Sequence, residues 1–307
     1  MENKLQKRRK MLMCSQLDMF IITGISERTV RNFEYKLTSA NTSTIEALTN
    51  GYKLSPGEIY RLHEIDNLSF QLISLDKTII NKFSELTNDH IDFYLKELKD
   101  NVGDLDSDSF KYSYYNQHFH FLKGLVEYYK GESEVALSYY LKAIKFTINN
   151  FDLSEIYYFL EFIDVFSKLE IRIIYNIASV IYYFGKEDLS NKIIDSLVDK
   201  CDENWEFYCE ILTHKSILQY RKKDYNSALS YINKAITISK KIQHYRNLSL
   251  YYYNRAAIKL ELQDPSYKKD MEITFNLCNY MGQYSLEKSL RKKFEKWNVE
   301  GINKNHP

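Results

Sequence analysis

The chain has 307 residues and a net charge of +1, with 15% aromatic residues but only nine glycines and three prolines. This length exceeds that of one small DNA-binding module and allows a second domain with its own core. The scarcity of helix breakers and the apolar residues at helical spacing predict a nearly all-α protein. The overall charge excludes a polycation, but residues 1–36 carry eight basic and four acidic side chains, which predicts a basic head on a mildly acidic body.

The four cysteines favour reduced thiols, because they lie far apart and form no C-x-x-C pair that would indicate a disulfide framework or a zinc site. The charged N-terminus has no signal-peptide pattern. The most apolar run, Ile171–Phe184, contains Arg172 and Asn176 and is shorter than the roughly 20 residues of a membrane-spanning helix. We therefore expect a cytoplasmic protein that binds no membrane.

The first predicted helix covers Asn3–Leu12, with Leu5 and Leu12 facing inward and the basic run facing outward. On that outer face, Arg8 and Arg9 either contact DNA phosphates or only form a solvent-exposed charged surface of the helix, and the sequence leaves both roles open.

Residues 15–34, SQLDMFIITGISERTVRNFE, predict a helix, a tight turn and a second helix. Ser15 and Ser26 can cap the two helices, and Gly24 can adopt the positive φ of the turn. The apolar residues expected in the core are Leu17, Phe20, Ile21, Val30 and Phe33. The outward residues of the second helix are Glu27, Arg28, Thr29 and Arg31, a polar face of the kind that reads base edges in the major groove.

Two further short helices complete a predicted head of five helices over residues 1–65. One covers Thr44–Thr49. The last begins at Ser55, a capping residue that is followed by Pro56 at the first helical position.

The second and third helices resemble the Xre/Cro/C1-type helix-turn-helix. The matching residues are Ser15, Gln16, Gly24, Ile25, Ser26, Thr29, Val30, Phe33 and Glu34, whereas Phe20 replaces a residue that is usually small. The resemblance implies that Gln16 contacts the DNA backbone and that the start of the following helix reads bases. The DNA contacts we expect are Arg8, Gln16, Ser26, Glu27, Arg28, Thr29 and Arg31. A helical hairpin that binds nothing is the alternative.

Small residues recur at identical offsets in two segments of the body, at Gly124, Ala136 and Ala143 and again at Ser216, Ala228 and Ala235. Two weaker copies begin with Ala178 and Ala256 but depart from the pattern afterwards, with Ser190 and Leu197 in one and Lys268 and Phe275 in the other, so the repeat is degenerate. Such residues allow paired antiparallel helices to approach closely, and the pattern resembles the tetratricopeptide repeat. We expect an α-solenoid over residues 66–300, followed by a disordered tail over residues 301–307.

Stacked helix pairs form a concave face that suits an extended peptide. The first helix of each pair normally lines that face, which nominates His118, Phe121, Arg172, Tyr175, Asn176, Ser179, Tyr182, Thr213, Tyr220, Tyr253 and Asn254. The two asparagines share one repeat position, where asparagine also braces helices, so ligand contact and bracing both stay open.

The second half of the body resembles the Rgg/GadR/MutR family of Gram-positive transcription regulators. The segment LEIRIIYNIASVIYYFGKEDLSNKIIDSL approximates a family motif through Glu170, Ile174, Asn176 and the aromatic residues 182–184, and the closing helices match through an apolar run and Gly282. The divergent repeat domain leaves two sister families with the same plan open as alternatives, the PlcR-like and the PrgX-like peptide sensors. The resemblance implies a homodimeric quorum-sensing regulator that binds double-stranded promoter DNA and a short signalling peptide, the pheromone.

We predict that the protein is not an enzyme, because the sequence lacks G-x-x-x-x-G-K-[ST], G-x-S-x-G and H-E-x-x-H motifs. His118 and His120 alternate along a predicted helix and do not share the face that two metal ligands need. We therefore expect no cofactor and no metal. Two other functions remain open: a protein-binding adaptor with a vestigial head, and a DNA-binding regulator without a small ligand.

Overall fold

The computed structural model describes residues 4–35, 42–63 and 110–304, and every regular element within these ranges is a helix. The predicted all-α fold class is therefore confirmed. The chain forms two compact units, residues 1–196 and 197–307. Within the described ranges, no helix combines the length and the apolar character that a bilayer crossing requires.

The described residues before position 64, which we call the head, form the five short helices that the sequence predicts. They are α1 (Lys4–Met11), α2 (Gln16–Thr23), α3 (Glu27–Glu34), α4 (Thr42–Tyr52) and α5 (Pro56–His63). The predicted domain boundary after residue 65 and the predicted start of the body lie outside the described residues, so the boundary stays a prediction.

Side-chain caps set the bounds of α2 and α3, as the sequence predicts. Ser15 Oγ accepts a hydrogen bond from the Asp18 N–H at 3.1 Å, and the Asp18 carboxylate accepts one from the Ser15 N–H at 2.7 Å. This reciprocal box satisfies donors that a helix start leaves open. Gly24, with a φ of 71°, ends α2, and Ser26 Oγ accepts from the Thr29 N–H at 3.2 Å to begin α3.

We call the described residues 110–304 the body. Its first part belongs to the first unit and consists of two long helices, a short irregular segment and two more helices. The helices are α6 (Phe110–Lys130), α7 (Ser133–Lys145), α8 (Ile156–Leu160), α9 (Lys168–Tyr183) and α10 (Glu187–Lys200). Turns of 3-10 helix at Leu153–Glu155 and Ile163–Val165 flank α8. The boundary between the two units falls inside α10.

The second unit consists of two helix pairs and a closing helix. These are α11 (Tyr208–Arg221), α12 (Tyr225–Lys241), α13 (Leu248–Glu261), α14 (Tyr267–Tyr280) and α15 (Tyr284–Lys304). The last helix extends to Lys304, so the first four residues of the predicted disordered tail are helical, and residues 305–307 lie outside the described chain.

Serine hydroxyls join the helices of two pairs at the predicted small-residue positions. Ser190 Oγ of α10 donates to the Ala178 carbonyl of α9 at 2.8 Å. Ser216 Oγ of α11 donates to the Ala228 carbonyl of α12 at the same distance and the same offset of twelve residues. All four residues are buried, which agrees with their prediction as points of close helix approach.

The fourth copy of the repeat forms a helix pair whose second helix departs from the small-residue pattern, as its weak match to the repeat indicates. Lys268, which stands where the two clear copies have alanine, is exposed, whereas Met271 and Thr274 are buried. The connection between α13 and α14 covers residues 262–266, two residues more than the 222–224 connection of the preceding pair. The longer loop moves the buried positions of α14 along the chain.

Replacing Gly124 with alanine is expected to destabilise the α6–α7 pair by about 1–3 kcal/mol, the usual cost of overpacking. A Cβ at this position would lie 2.6 Å from Tyr140 Cδ1, and the Tyr140 ring is itself fully buried. Amide hydrogen exchange in α6 and α7 measures the loss. The matched control is Ser138→Ala, at an exposed position of α7, which we expect to change exchange very little. Equal exchange in both variants would contradict this packing.

Candidate DNA-reading helix and peptide-binding face

Helix α3 presents one polar face to solvent and one apolar face to the head. The exposed residues, which we call the reading face, are Ser26, Glu27, Arg28, Thr29 and Arg31. Val30 and Phe33 are buried on the opposite side. These orientations agree with the sequence prediction, and the free N–H groups of a helix start favour anions such as phosphate. Gln16, the first residue of α2, is half-buried.

The predicted core residues of α2 are wrong. Leu17, Phe20 and Ile21 are 52%, 45% and 70% exposed, and Met19 is the residue of α2 that is fully buried. The contact with α4 decides this orientation, because Met19 Sδ would lie only 2.8 Å from a Cβ at Gly51. A helix with apolar residues on several faces can bury any of them, and the missing side chain of Gly51 selects Met19.

The two arginines of α1 do not face solvent, contrary to the prediction for the basic run. Arg9 Nε and Nη2 donate to the two carboxylate oxygens of Glu34 at 2.7 and 3.0 Å, and Tyr52 Oη donates to the same carboxylate at 3.0 Å. The hydrogen bond with Glu34 raises the pKa of Arg9, against the opposing effect of burial. Arg9 therefore holds α1 to α3 inside the head.

Arg8 is fully buried, so the prediction that it contacts DNA is wrong. Its Nη1 and Nη2 donate to the Glu170 carboxylate of α9 at 2.7 and 2.8 Å. Its Nε and Nη2 also donate to the carbonyls of Tyr52 and Lys53 at 3.0 and 3.1 Å. The guanidinium thus joins two segments of the head to the body within the first unit.

The Glu170 carboxylate accepts hydrogen bonds from the body as well as from Arg8 of the head. Its Oε1 accepts from Thr147 Oγ1 at 2.6 Å, and Thr147 Oγ1 in turn accepts from Gln117 Nε2 at 2.6 Å. Its Oε2 accepts from the Ser167 N–H at 2.7 Å, which completes a capping box at the start of α9. We call Arg8, Glu170 and these hydrogen-bonded partners the junction.

Two further polar contacts between the head and the body lie beside the junction. Lys7 Nζ lies 2.7 Å from Asp164 Oδ1, and both side chains are about a third exposed or less. The Lys168 N–H donates to Glu58 Oε1 of α5 at 3.0 Å. The start of α9 is therefore bonded to both α1 and α5 of the head.

Helix α9 carries five of the predicted peptide contacts, all half-buried: Arg172, Tyr175, Asn176, Ser179 and Tyr182. Asn176 Nδ2 donates to the Arg172 carbonyl at 2.8 Å, and Ser179 Oγ donates to the Tyr175 carbonyl at 3.0 Å. These bonds run along α9 itself. Whether these side chains contact a ligand stays a prediction.

Two predicted peptide contacts of α6 are buried, so their assignment as ligand contacts is wrong. His118 is 1% exposed and Phe121 is 4% exposed. The Tyr114 ring covers His118 at a centroid distance of 4.2 Å, and Phe121 packs against the Tyr140 ring at 6.1 Å. The two side chains are therefore covered by aromatic residues of the protein itself, Tyr114 one helical turn away on α6 and Tyr140 on α7.

The second unit carries the remaining candidates, Thr213, Tyr220, Tyr253 and Asn254, and all four are half-buried. Thr213 Oγ1 donates to the Cys209 carbonyl at 2.7 Å, and Tyr220 Oη donates to Glu261 at 3.3 Å. Burial, with the Glu261 charge, raises the pKa of Tyr220 to about 12. Whether these residues contact a ligand stays a prediction.

Sequence reasoning missed His214, which occupies the repeat position of Asn176 and Asn254, two residues before the small residue. Burial, and then the positive charge of Arg221, lowers the pKa of His214 to about 4. The imidazole is therefore neutral at physiological pH. The shared offset from Ser216 is the signal that could have identified it.

The second unit is expected to lose stability as the pH falls from 6.5 towards 4, because unfolded His214 binds a proton at its ordinary pKa near 6.5 and folded His214 does not until about 4. The loss attributable to this group is about 3 kcal/mol at most. Urea unfolding followed by the fluorescence of Trp205, a buried residue of this unit, measures it. His214→Gln should flatten the pH dependence, and an equal slope in both proteins would disprove the effect.

No known family model matches the sequence, and no curated protein sequence matches it. Solved structures do match. Bacillus thuringiensis PlcR, solved in complex with the peptide PapR7 and DNA, is 13% identical, with a TM-score of 0.51 over 94% of this chain and 99% of that chain. PlcR in its apo form is 11% identical, with a TM-score of 0.51 over 83% and 88%. Streptococcus dysgalactiae Rgg2, an SHP pheromone receptor, is 14% identical, with a TM-score of 0.47 over 96% and 99%.

The likeness to PlcR spans both units at low sequence identity. The helix-turn-helix of the head and the helix pairs of the body are the parts that the sequence predicted, and they occur here in the same chain. The chain therefore has the PlcR fold, a helix-turn-helix domain joined to a helical repeat domain.

Proposed function

We propose that this chain is a transcription regulator that binds promoter DNA as a homodimer and is controlled by a short signalling peptide. The observation that carries the proposal is the reading face, five exposed polar residues at the capped start of a helix whose other side is buried in the head. The PlcR fold supports it, because PlcR was solved with a peptide and DNA.

In the proposed complex, α3 lies in the major groove and its N-terminal residues contact base edges. Arg28 is the residue best suited to read a base, since a guanidinium can donate two parallel hydrogen bonds to guanine. A homodimer would present two such helices about 34–36 Å apart, one turn of DNA, to a near-palindromic site.

Selection from random-sequence duplex DNA with the full-length protein tests the DNA-binding part. We expect enrichment of one inverted-repeat sequence, and an affinity for it that falls steeply with salt because phosphate contacts release counterions. No enriched sequence together with a weak salt dependence would refute the proposal and favour a protein-binding adaptor.

For the peptide-binding part, we propose that the ligand contacts the surface of α9 that carries Tyr175, Asn176 and Ser179. Tyrosine rings provide apolar contact area, and side-chain amides and hydroxyls can bond a peptide backbone. Synthetic peptides encoded by short open reading frames beside the gene are the probes. A ligand at 100 times its Kd should stabilise the protein by roughly 2.7 kcal/mol in thermal melting. A flat response to all of them would favour a ligand-independent regulator.

Tyr175→Ala is expected to weaken binding of a stabilising peptide by about fivefold or more, because truncation of a tyrosine that anchors an interface costs more than ~1 kcal/mol. Isothermal titration calorimetry measures the change. The matched control is Tyr183→Ala at the end of the same helix, where the ring is largely exposed, and we expect little change there. Similar losses in both variants, or in neither, would contradict the assignment of the α9 surface.

A further inference from the structure

Two adjacent arginines of α1 bind carboxylates in different parts of the molecule. Neighbouring helix residues point about 100° apart, so Arg8 and Arg9 leave α1 in different directions. Arg9 binds Glu34 inside the head, whereas Arg8 binds Glu170 in the body. Both carboxylates are fully buried, so the two pairs match in chemistry and burial and differ in what they join.

The Arg8–Glu170 pair connects groups that are themselves held in place. Arg8 donates four hydrogen bonds of 2.7–3.1 Å. Two go to the Glu170 carboxylate, one to the carbonyl of Tyr52 at the end of α4, and one to the carbonyl of Lys53, which follows α4. Glu170 belongs to the capping box of α9 and also accepts from Thr147, which is bonded to Gln117 of α6. The pair therefore ties the head to α9, to α6 and to the turn that follows α7 at one point.

Directional bonds of this kind specify an orientation, which apolar burial does not. Apolar contact is non-directional, and an apolar pair of similar volume could hold the head in several rotations. Burying two charges costs desolvation free energy, so a buried ion pair is weak evidence for stability, and its best-attested role is to fix register. The junction has the features of such a register device, since both charged groups are out of solvent and each makes four hydrogen bonds.

We propose that the Arg8–Glu170 pair fixes the orientation of the reading head on the body and thereby sets the single half-site spacing that the dimer accepts on DNA. This inference rests on the proposed function as a dimeric DNA-binding protein. With the pair intact, each reading helix leaves the body at one angle, and only one distance between half-sites fits both heads. Without it, the head keeps its own core and its reading face but adopts several angles.

Selection from random-sequence duplexes, followed by sequencing, tests this in full-length protein. We expect wild type to enrich one half-site at one spacing. Glu170→Gln should enrich the same half-site over several spacings, with at least a tenfold loss of discrimination between the best spacing and one two base pairs away. The control is Glu34→Gln, which removes the same charge from the buried pair inside the head. We expect it to bind more weakly but to keep the single spacing.

A milder variant serves if Glu170→Gln does not fold. Thr147→Val removes one hydrogen bond to Glu170 and leaves both charges of the pair in place. It should enrich more half-site spacings than wild type. A spacing profile identical to that of wild type in every folded junction variant would overturn the inference and leave the proposed function standing. No enriched site for wild type would overturn the proposed function and this inference with it.

Discussion

Arg28→Ala is expected to lose specific DNA binding while keeping the fold of the head. Arg28 lies exposed on α3, beside the capped helix start, so its side chain is available to a groove and its removal leaves the core intact. Loss of a bidentate base contact costs about 1–3 kcal/mol, or roughly 5- to 150-fold in affinity. Electrophoretic mobility shift with the selected duplex and with a scrambled duplex measures specific and non-specific binding separately.

Two controls separate base reading from charge. Arg28→Lys keeps the charge but cannot form the two parallel hydrogen bonds, so non-specific binding should remain while specificity falls. Lys241→Ala removes one exposed positive charge from α12 and should leave specific binding unchanged. An Arg28→Ala protein that still protects its selected site would refute the placement of α3 in the groove.

Glu170→Ala is expected to cost about 3–5 kcal/mol of stability in the first unit, because it leaves the buried Arg8 guanidinium without its counter-charge. The Thr147 hydroxyl and the Ser167 N–H would lose their carboxylate acceptor as well. Amide hydrogen exchange in α1 and α9 measures the loss at the two ends of the pair.

A double-mutant cycle identifies the pair as the source of this loss. Arg8→Met with Glu170→Ala should cost clearly less than the sum of the two single changes, because no charge is then left buried alone. Asp164→Asn is the matched control, since Lys7 and Asp164 are also 2.7 Å apart but partly exposed. It should cost about 1 kcal/mol or less. Additive losses at Arg8 and Glu170 would contradict the proposed interaction.

Most of the head could be predicted from the sequence, because its helices end at local signals. Ser15, Gly24 and Ser26 act within three residues of their own positions, and the structure confirms all three as caps or turn. Val30 and Phe33 are buried as their spacing predicts. The serines and alanines of the repeat pairs were also recognisable, since a repeated offset needs no knowledge of distant partners.

The errors concern side chains whose environment is made by distant residues. Helical spacing predicted that Leu17 and Ile21 face inward. In the structure Met19 is the buried residue of α2, and it packs closely against Gly51 of α4. His118 and Phe121 occupy positions that line the concave face in a regular repeat, but neighbouring aromatic rings cover them. Periodicity defines a face of a helix without showing what packs on it.

The sequence by itself determined where α2 ends and α3 begins and which residues α3 shows to solvent, because those features depend on hydrogen bonds and spacing within a few residues. Only the tertiary structure decided the roles of Arg8 and Arg9. Their partners lie 162 and 25 residues away, at Glu170 and Glu34. A charged side chain is buried only where a counter-charge and hydrogen-bond acceptors converge on it, and that convergence is a property of the folded chain.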